Sequence, residues 1–204
     1  MRNTRTRTAR RAGVAALGLG VIAGVSLLVA PNATSHGYTD NPISRQKLCA
    51  NKTVPDCGAI QWEPQSVEGL KGFPAAGPAD GKICSAGLPQ FAELDNPRGG
   101  SWPATSLTSG QNHTFRWQFT ANHSTTDFKY YVTKNGWDPT KPLTRASLES
   151  QPFLTVAYNG ARPPMTFTHQ GQLPGGKSGR HLILAVWTIN DTANAFYACS
   201  DVQF

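Results

Sequence analysis

The alternation of apolar and polar residues constrains the fold of this chain more than any other feature. Residues 111–121 place aromatic side chains at every second position, and a period of two predicts a strand with one buried face. The same alternation recurs at 127–133 and at 196–204, and a shorter strand is predicted at 152–158. The run at 181–189 is almost continuously apolar and rich in branched residues, as expected of a strand in the core.

Glycine and proline decide how these strands are joined. The 204 residues include 20 Gly and 15 Pro, a composition that excludes a long-helix or coiled-coil protein. A helical turn is predicted only near 144–150. Several strands separated by such turns predict an antiparallel β-sandwich. Residues 50–105 hold few strand-like runs, and a loop region of that length in a compact domain is usually functional.

The first 35 residues have the composition of a secretion signal. An arginine-rich start precedes an apolar stretch at 12–30, and Ala33 and Ser35 are small residues spaced as a signal peptidase prefers. A membrane anchor is the alternative, because about 19 apolar residues can span a bilayer. The following small residues and the lack of a second apolar run favour removal. We therefore expect a secreted protein with one domain at 36–204 and no membrane contact after cleavage.

The charge distribution argues against a nucleic-acid-binding protein. The formal net charge is +7, but five of the 19 basic residues lie in the leader, which has no acidic residue. The remaining chain is therefore close to neutral, whereas nucleic-acid binding requires a basic patch on the folded domain.

The four cysteines predict two structural disulfides, because an even number in an exported chain normally pairs. Cys49 and Cys57 bracket a turn-like segment and are expected to pair. The pairing of Cys84 with Cys199 follows by elimination. A zinc site is the alternative, but the sequence contains no CxxC motif.

Cleavage after Ser35 would make His36 the first residue of the mature chain. The α-amine and the imidazole ring of an N-terminal histidine can chelate one metal ion, and nitrogen ligands suit copper well. This position alone is only suggestive, because chance can also place a histidine there.

His36 and three segments, at 61–81, 120–134 and 188–202, together carry a resemblance to a known family. In this order they resemble the bacterial lytic polysaccharide monooxygenases of auxiliary activity family 10, formerly chitin-binding proteins of carbohydrate-binding module family 33, and especially the chitin-active members. The resemblance implies an immunoglobulin- or fibronectin-III-like sandwich with a long loop region between the first strands. It also implies a monomer with one copper ion per chain.

The resemblance implies a copper site made by two histidines. The amine and ring of His36 and the ring of His123 match the family's histidine brace. Without the resemblance, His123 is more simply interpreted as a core histidine, although turn-forming residues surround it. Phe196 matches the aromatic residue on one axial side of the metal, and Ala121 matches the small residue on the other. Glu68 matches a carboxylate that positions the oxygen co-substrate.

The same resemblance implies a flat substrate-binding face around the metal. Its matching residues are Trp62, Glu63, Glu68, Ala121, Asp191 and Asn194. Trp62 stands where the chitin-active relatives usually have tyrosine. Its polar neighbours argue against core packing, so we expect the ring to lie against a sugar.

The implied function is oxidative cleavage of the β-1,4 bonds of crystalline chitin at C1, which gives aldonic-acid chitooligosaccharides. The reaction needs an external electron donor and hydrogen peroxide or dioxygen. A cellulose-active enzyme, a non-catalytic chitin-binding module and an adhesin or effector at a host surface are alternatives. Adhesion alone needs neither brace histidine, which argues against the module. Residue chemistry alone does not separate an N-acetyl sugar from glucose.

Overall fold

The computed structural model describes Met1 and residues 35–204. Almost all of the signal predicted at 1–35 therefore lies outside the described residues. Within the described part of the chain, no helix is long and apolar enough to cross a membrane. In order, the strands and the α-helix are β1 (His36–Asn41), α1 (Arg45–Ala50), β2 (Glu68–Leu70), β3 (Thr105–Ser106), β4 (Asn112–Ala121), β5 (Thr125–Val132), β6 (Leu154–Ala157), β7 (Thr166–Gln172), β8 (Arg180–Ile189) and β9 (Asn194–Gln203).

The strands form two sheets, and the predicted β-sandwich is confirmed. The smaller sheet has the order β1-β4-β7, and the larger has the order β2-β9-β8-β5-β6. Neighbouring strands are antiparallel, except that β3 pairs in parallel with β9. Short 3-10 helices interrupt the loops at Gly58–Gln61, Pro89–Leu94, Arg98–Gly100 and Arg145–Ser147.

The five strands predicted from the sequence are all present as β4, β5, β6, β8 and β9, within a few residues of the expected limits. The turn near 144–150 contains the last of the short 3-10 helices. The region 50–105 is largely irregular, as expected, and holds the short strand β2 and three of the four 3-10 helices. The sequence reasoning missed the strands β1, β2, β3 and β7 and the helix α1.

Aromatic side chains fill the space between the two sheets. Phe115 and Trp117 of the small sheet pack with Tyr130, Trp187 and Phe196 of the large sheet, and all five are fully buried. The Trp117 indole N–H donates a hydrogen bond of 3.0 Å to the Tyr130 hydroxyl, so the polar end of each ring is satisfied. These inward residues are the ones that produce the period of two in the sequence.

A second core lies beneath the long loop region, against the outer face of the large sheet. The disulfides Cys49–Cys57 and Cys84–Cys199 are both formed, as predicted. The second of them ties the loop region to β9, across 115 positions of sequence. This attachment matters because the loop region carries several of the candidate site residues.

Strand directions bring one set of chain segments to the same end of the sandwich. In antiparallel pairs, the start of one strand meets the end of its neighbour. The beginnings of β1, β5 and β9 therefore meet the ends of β4 and β8. Of the predicted site residues, His36, Ala121, His123, Asp191, Asn194 and Phe196 belong to these strand ends or to the connections between them. Glu68 reaches the same end through the pairing of β2 with β9.

Candidate metal centre

Strand pairing brings the two predicted brace histidines to the same place. His36 begins β1 and lies opposite Ala121, the last residue of β4. His123 follows Ala121 by two residues in the short connection to β5. A register shift separates His36 from Gly37, and the Gly37 N–H donates to the carbonyl oxygen of Gln65 at 3.0 Å. The long loop is thereby attached to the strand that begins with His36.

The His123 ring is held in a buried position with an acidic neighbour. Its exposed fraction is only 4%, and its Nδ1 lies 2.9 Å from Oδ1 of the exposed Asp191. Despite this short distance, Nδ1 makes no hydrogen bond, so a buried ring nitrogen is left without a partner. The Thr125 hydroxyl donates to the His123 carbonyl oxygen at 2.9 Å, which fixes the local backbone.

These residues fit a copper ion held by nitrogen ligands. Among residues 35–204, no group of three or more His, Cys, Asp or Glu side chains is placed to hold a metal. Two imidazoles are present, and a chain that begins at His36 would add an amine as the third nitrogen. Such a donor set suits copper. Here the His36 nitrogen is still joined to Ser35, whose buried hydroxyl has no partner.

The pairing of β2 with β9 places Glu68 beside the aromatic residue Phe196. The Asn194 amide Nδ2 donates to Glu68 Oε1 at 2.8 Å, so the carboxylate is held in one orientation. Phe196 is fully buried and its ring lies 4.9 Å from that of Trp187. Phe196 is therefore a core residue, and it pairs with Glu68 at the start of β9, where the resemblance implies a place beside the metal.

Lys71 anchors the loop that carries Asp191, and the sequence reasoning missed it. Its backbone N–H donates to the Ala193 carbonyl oxygen at 3.0 Å. Its ammonium group donates to the Ile189 carbonyl oxygen at 3.3 Å and also to that of Thr192. The only available signal was its place inside the matched segment 61–81, because a lysine there otherwise indicates a solvated surface.

The predicted sugar-contacting residues of the long loop are exposed. The Trp62 side chain is 72% exposed, and Glu63 beside it is also exposed. The Lys52 ammonium lies 5.8 Å from the centre of the Trp62 ring. Trp62 and Glu63 are connected to the histidines through the backbone of their own loop, whereas Asp191 and Ala121 contact or pair with the histidines themselves.

The three other histidines of the described chain are packed structurally and lie apart from the site. His169 stacks on Phe167 with 4.8 Å between ring centres, and burial lowers its pKa to about 4. His181 is buried, with Nδ1 2.9 Å from the Thr133 hydroxyl oxygen. His113 packs its ring against Phe115. The candidate site therefore contains two of the five histidines of the sequence.

Comparison with known structures gives strong matches. The family model described as "Lytic polysaccharide mono-oxygenase, cellulose-degrading" matches residues 36–202. An AA10 lytic polysaccharide monooxygenase from Streptomyces lividans is 65% identical, with a TM-score of 0.81 over 83% of this chain and 100% of that one. A Bacillus amyloliquefaciens CBM33 protein in complex with Cu(I) is 40% identical, with a TM-score of 0.75 over 82% and 99% of the two chains.

Two relatives found by sequence extend this comparison. The AA10 family lytic polysaccharide monooxygenase C of Mycosarcoma maydis is 48% identical over 187 residues, which cover 90% of this chain and 57% of that protein. The GlcNAc-binding protein A of Shewanella oneidensis is 47% identical over 179 residues, which cover 88% of this chain and 38% of that protein. The chain thus spans little more than half of the first relative and less than half of the second.

Proposed function

Because the chain belongs to the copper-dependent lytic polysaccharide monooxygenases of auxiliary activity family 10, we propose that it cleaves crystalline chitin by oxidation at C1. The observation that carries the proposal is the convergence of His36 and His123, which are 87 positions apart in sequence, at one strand end. Copper, when bound, supplies the oxidative chemistry of the reaction. His36 and His123 would hold it.

The carboxylate of Glu68 is the candidate proton-handling group of this site. Its Oε1 accepts the amide hydrogen bond from Asn194, which leaves Oε2 to hold or move a proton. Ala121 has a side chain of one methyl group, so it leaves room for the oxygen co-substrate. Phe196 fills the adjacent core and excludes water from that side.

The substrate is proposed from the chemistry of the exposed face. Trp62 offers an aromatic surface for a sugar ring, and Glu63, Asp191 and Asn194 offer hydrogen-bonding groups around it. This combination suits a flat polymer that carries little charge. Support for chitin comes from the matched segment 61–81 and from relatives named for binding GlcNAc. The description of the family model names cellulose, and cellulose is therefore the second candidate substrate.

Secretion belongs to the same proposal. Disulfides form and persist in oxidising compartments, and both predicted disulfides are formed here. We propose that residues 1–35 are removed on export, which frees the His36 amine for copper.

Product analysis tests the proposed activity and its substrate together. Copper-loaded protein beginning at His36 is incubated with crystalline chitin or cellulose and ascorbate, and the soluble products are identified by mass spectrometry. We expect aldonic-acid chitooligosaccharides that disappear when ascorbate is omitted or when His123→Ala replaces the wild type. Oxidised products from cellulose alone would reassign the substrate. Tight chitin binding without oxidised products, at full copper loading, would instead indicate a binding module.

A further inference from the structure

Within residues 35–204, three large apolar side chains are conspicuously exposed. They are Trp62, Leu70 and Met165, with exposed fractions of 72%, 64% and 47%. Exposed apolar groups that cluster around a site commonly mark an interaction surface. The sequence assigns a role to Trp62, but it assigns none to Leu70 or Met165.

Leu70 shares a sheet face with two residues of the candidate site. In the pairing of β2 with β9, Leu70 lies directly opposite Asn194, and Glu68 lies opposite Phe196. Side chains at alternate positions of a strand, and at directly opposed positions of paired strands, point to the same face. Leu70 therefore projects on the side of Glu68 and Asn194. The Tyr197 hydroxyl donates to the Leu70 carbonyl oxygen at 2.6 Å and fixes its backbone.

Gly69 shows why Leu70 cannot turn away from this face. A Cβ atom at Gly69 would lie 2.6 Å from the Ala86 carbonyl oxygen, so the opposite side of β2 is packed tightly against the loop beneath it. That side has no room for a leucine. The exposure of Leu70 is therefore a consequence of the strand's register.

Met165 directly precedes β7 of the small sheet and lies beside the end of β4 that leads to His123. Its carbonyl oxygen accepts a 2.8 Å hydrogen bond from the N–H of Phe119, two residues before Ala121. The Asn122 amide donates to the Pro163 carbonyl oxygen at 2.6 Å, which holds the segment before Met165 against the end of β4. Because β4 lies between β1 and β7, Met165 is on the side of β4 away from His36.

We propose that Leu70 and Met165 are two further contact residues of the polysaccharide-binding face, which pack against the C–H faces of sugar rings at the surface of the crystalline polymer. The inference rests on the proposed function, and its occupant is the substrate of the adjacent site. The two side chains belong to different sheets, and packed sheets are about 10 Å apart. A single sugar ring cannot contact both, whereas an extended crystal surface can.

Binding measurements on solid polymer test this role. Leu70→Asn and Met165→Gln keep the approximate side-chain size and replace the apolar surface with an amide. We expect each variant to bind crystalline chitin about tenfold more weakly, as for the loss of one partly buried apolar contact, and the double variant to bind more weakly than either. Ala146→Asn is the matched control. Ala146 is exposed and accepts a hydrogen bond from Lys134, which lies just beyond the last residue of β5, whereas the candidate site lies at the start of that strand.

Copper affinity and melting temperature are measured for the same variants. Copper affinity should stay within about twofold of the wild type, and the melting temperature should stay unchanged, because both side chains are exposed. Unchanged binding of the double variant to solid polymer would overturn the proposal. Weaker binding to solid polymer together with weaker copper binding or a lower melting temperature would also overturn the proposal, because that result would indicate a structural role. The series is repeated on cellulose. If the wild type binds only cellulose, the proposed substrate is wrong, and binding of the variants to cellulose decides the role of Leu70 and Met165.

Discussion

At the scale of single residues, the site depends on side chains that gain their chemistry from their neighbours. Glu68 is an unremarkable loop acid in the sequence, yet strand pairing and the Asn194 amide give its carboxylate a fixed orientation. His123 is equally ambiguous, because a histidine that continues an apolar alternation is usually part of a core. The resemblance to a family singled out both residues, and residue chemistry alone would not have done so.

Replacing Glu68 separates its proton-handling role from metal binding. Glu68→Gln keeps the side-chain size and removes the charge, so we expect formation of oxidised product to fall by about 100-fold. Copper affinity should stay unchanged, since neither histidine contacts Glu68 in the structure. Product formation is measured with a fixed amount of reductant, and copper affinity by calorimetric titration.

Two further variants make this experiment decisive. Asn194→Ala frees the carboxylate to rotate without neutralising it, and we expect a smaller loss than for Glu68→Gln. Glu93→Gln removes a charge in the 3-10 helix Pro89–Leu94, away from the histidines, and should behave as the wild type. A full rate of product formation by Glu68→Gln would contradict the assigned role.

At the scale of elements, the sequence predicted those strands whose inward residues are apolar. The strands β4, β5, β8 and β9 follow that pattern. The strand β7 was missed because Phe167 is its only large apolar residue, and the alternate inward positions hold His169 and Gly171. The helix α1 has only six residues, and its N-terminal Ser44 makes no side-chain capping bond. Its buried Arg45 is satisfied by an ion pair with Asp201, which no local pattern reveals.

The same reasoning shows why part of the site stayed hidden. Leu70 lies in a strand of three residues, too short for a period of two to appear. Lys71 acts through backbone carbonyl groups that are distant in sequence. Sequence patterns report which face of an element is buried. They do not report which loop another element will hold in place.

The strand β7 should make the protein sensitive to acid. His169 stacks between Phe115 and Phe167, and neither ring nitrogen has a hydrogen-bond partner. Burial lowers its pKa from 6.5 to about 4. Between these values the unfolded chain binds a proton that the folded chain does not, so stability is lost as the pH falls from about 6.5 towards 4.

Replacing this histidine should therefore stabilise the protein in acid. His169→Phe keeps the stacked rings and removes the titrating group. We expect its advantage in urea midpoint over the wild type to grow as the pH is lowered from 7 to 4. The comparison uses copper-free protein, so that the brace histidines do not contribute through metal binding. Burial also lowers the pKa of His113 and His181, so some pH dependence should remain. Equal pH dependence in the two proteins would show that His169 is not the sensitive group.

At the scale of the whole molecule, two disulfides restrain the long loop region that carries part of the candidate site. Cys84–Cys199 closes a loop of 115 positions in sequence, and chain-entropy arguments give such a link roughly 4–5 kcal/mol of stabilisation. Cys49–Cys57 fixes the start of the loop that carries Trp62. The irregular loop region is thus attached to the sheet that carries Phe196, which allows a long loop to present a fixed binding face.

The proposed cleavage before His36 is the remaining determinant of the whole site, because the amine ligand of the proposed brace would exist only after it. Protein beginning at Ser35 has an amide at His36, whereas protein beginning at His36 has an amine that can chelate copper with its own ring. We expect the shorter form to bind Cu(II) at least about 100-fold more tightly, since the chelate and one of three nitrogen ligands are lost in the longer form.

Copper binding only to the folded state also raises the melting temperature. The shorter form should therefore show a large thermal shift with copper, and the longer form a small one. His123→Ala in each form is the control, and it should weaken copper binding of the shorter form more than that of the longer form. Equal copper affinities in the two forms would exclude the brace, and with it the requirement that a leader be removed at this bond.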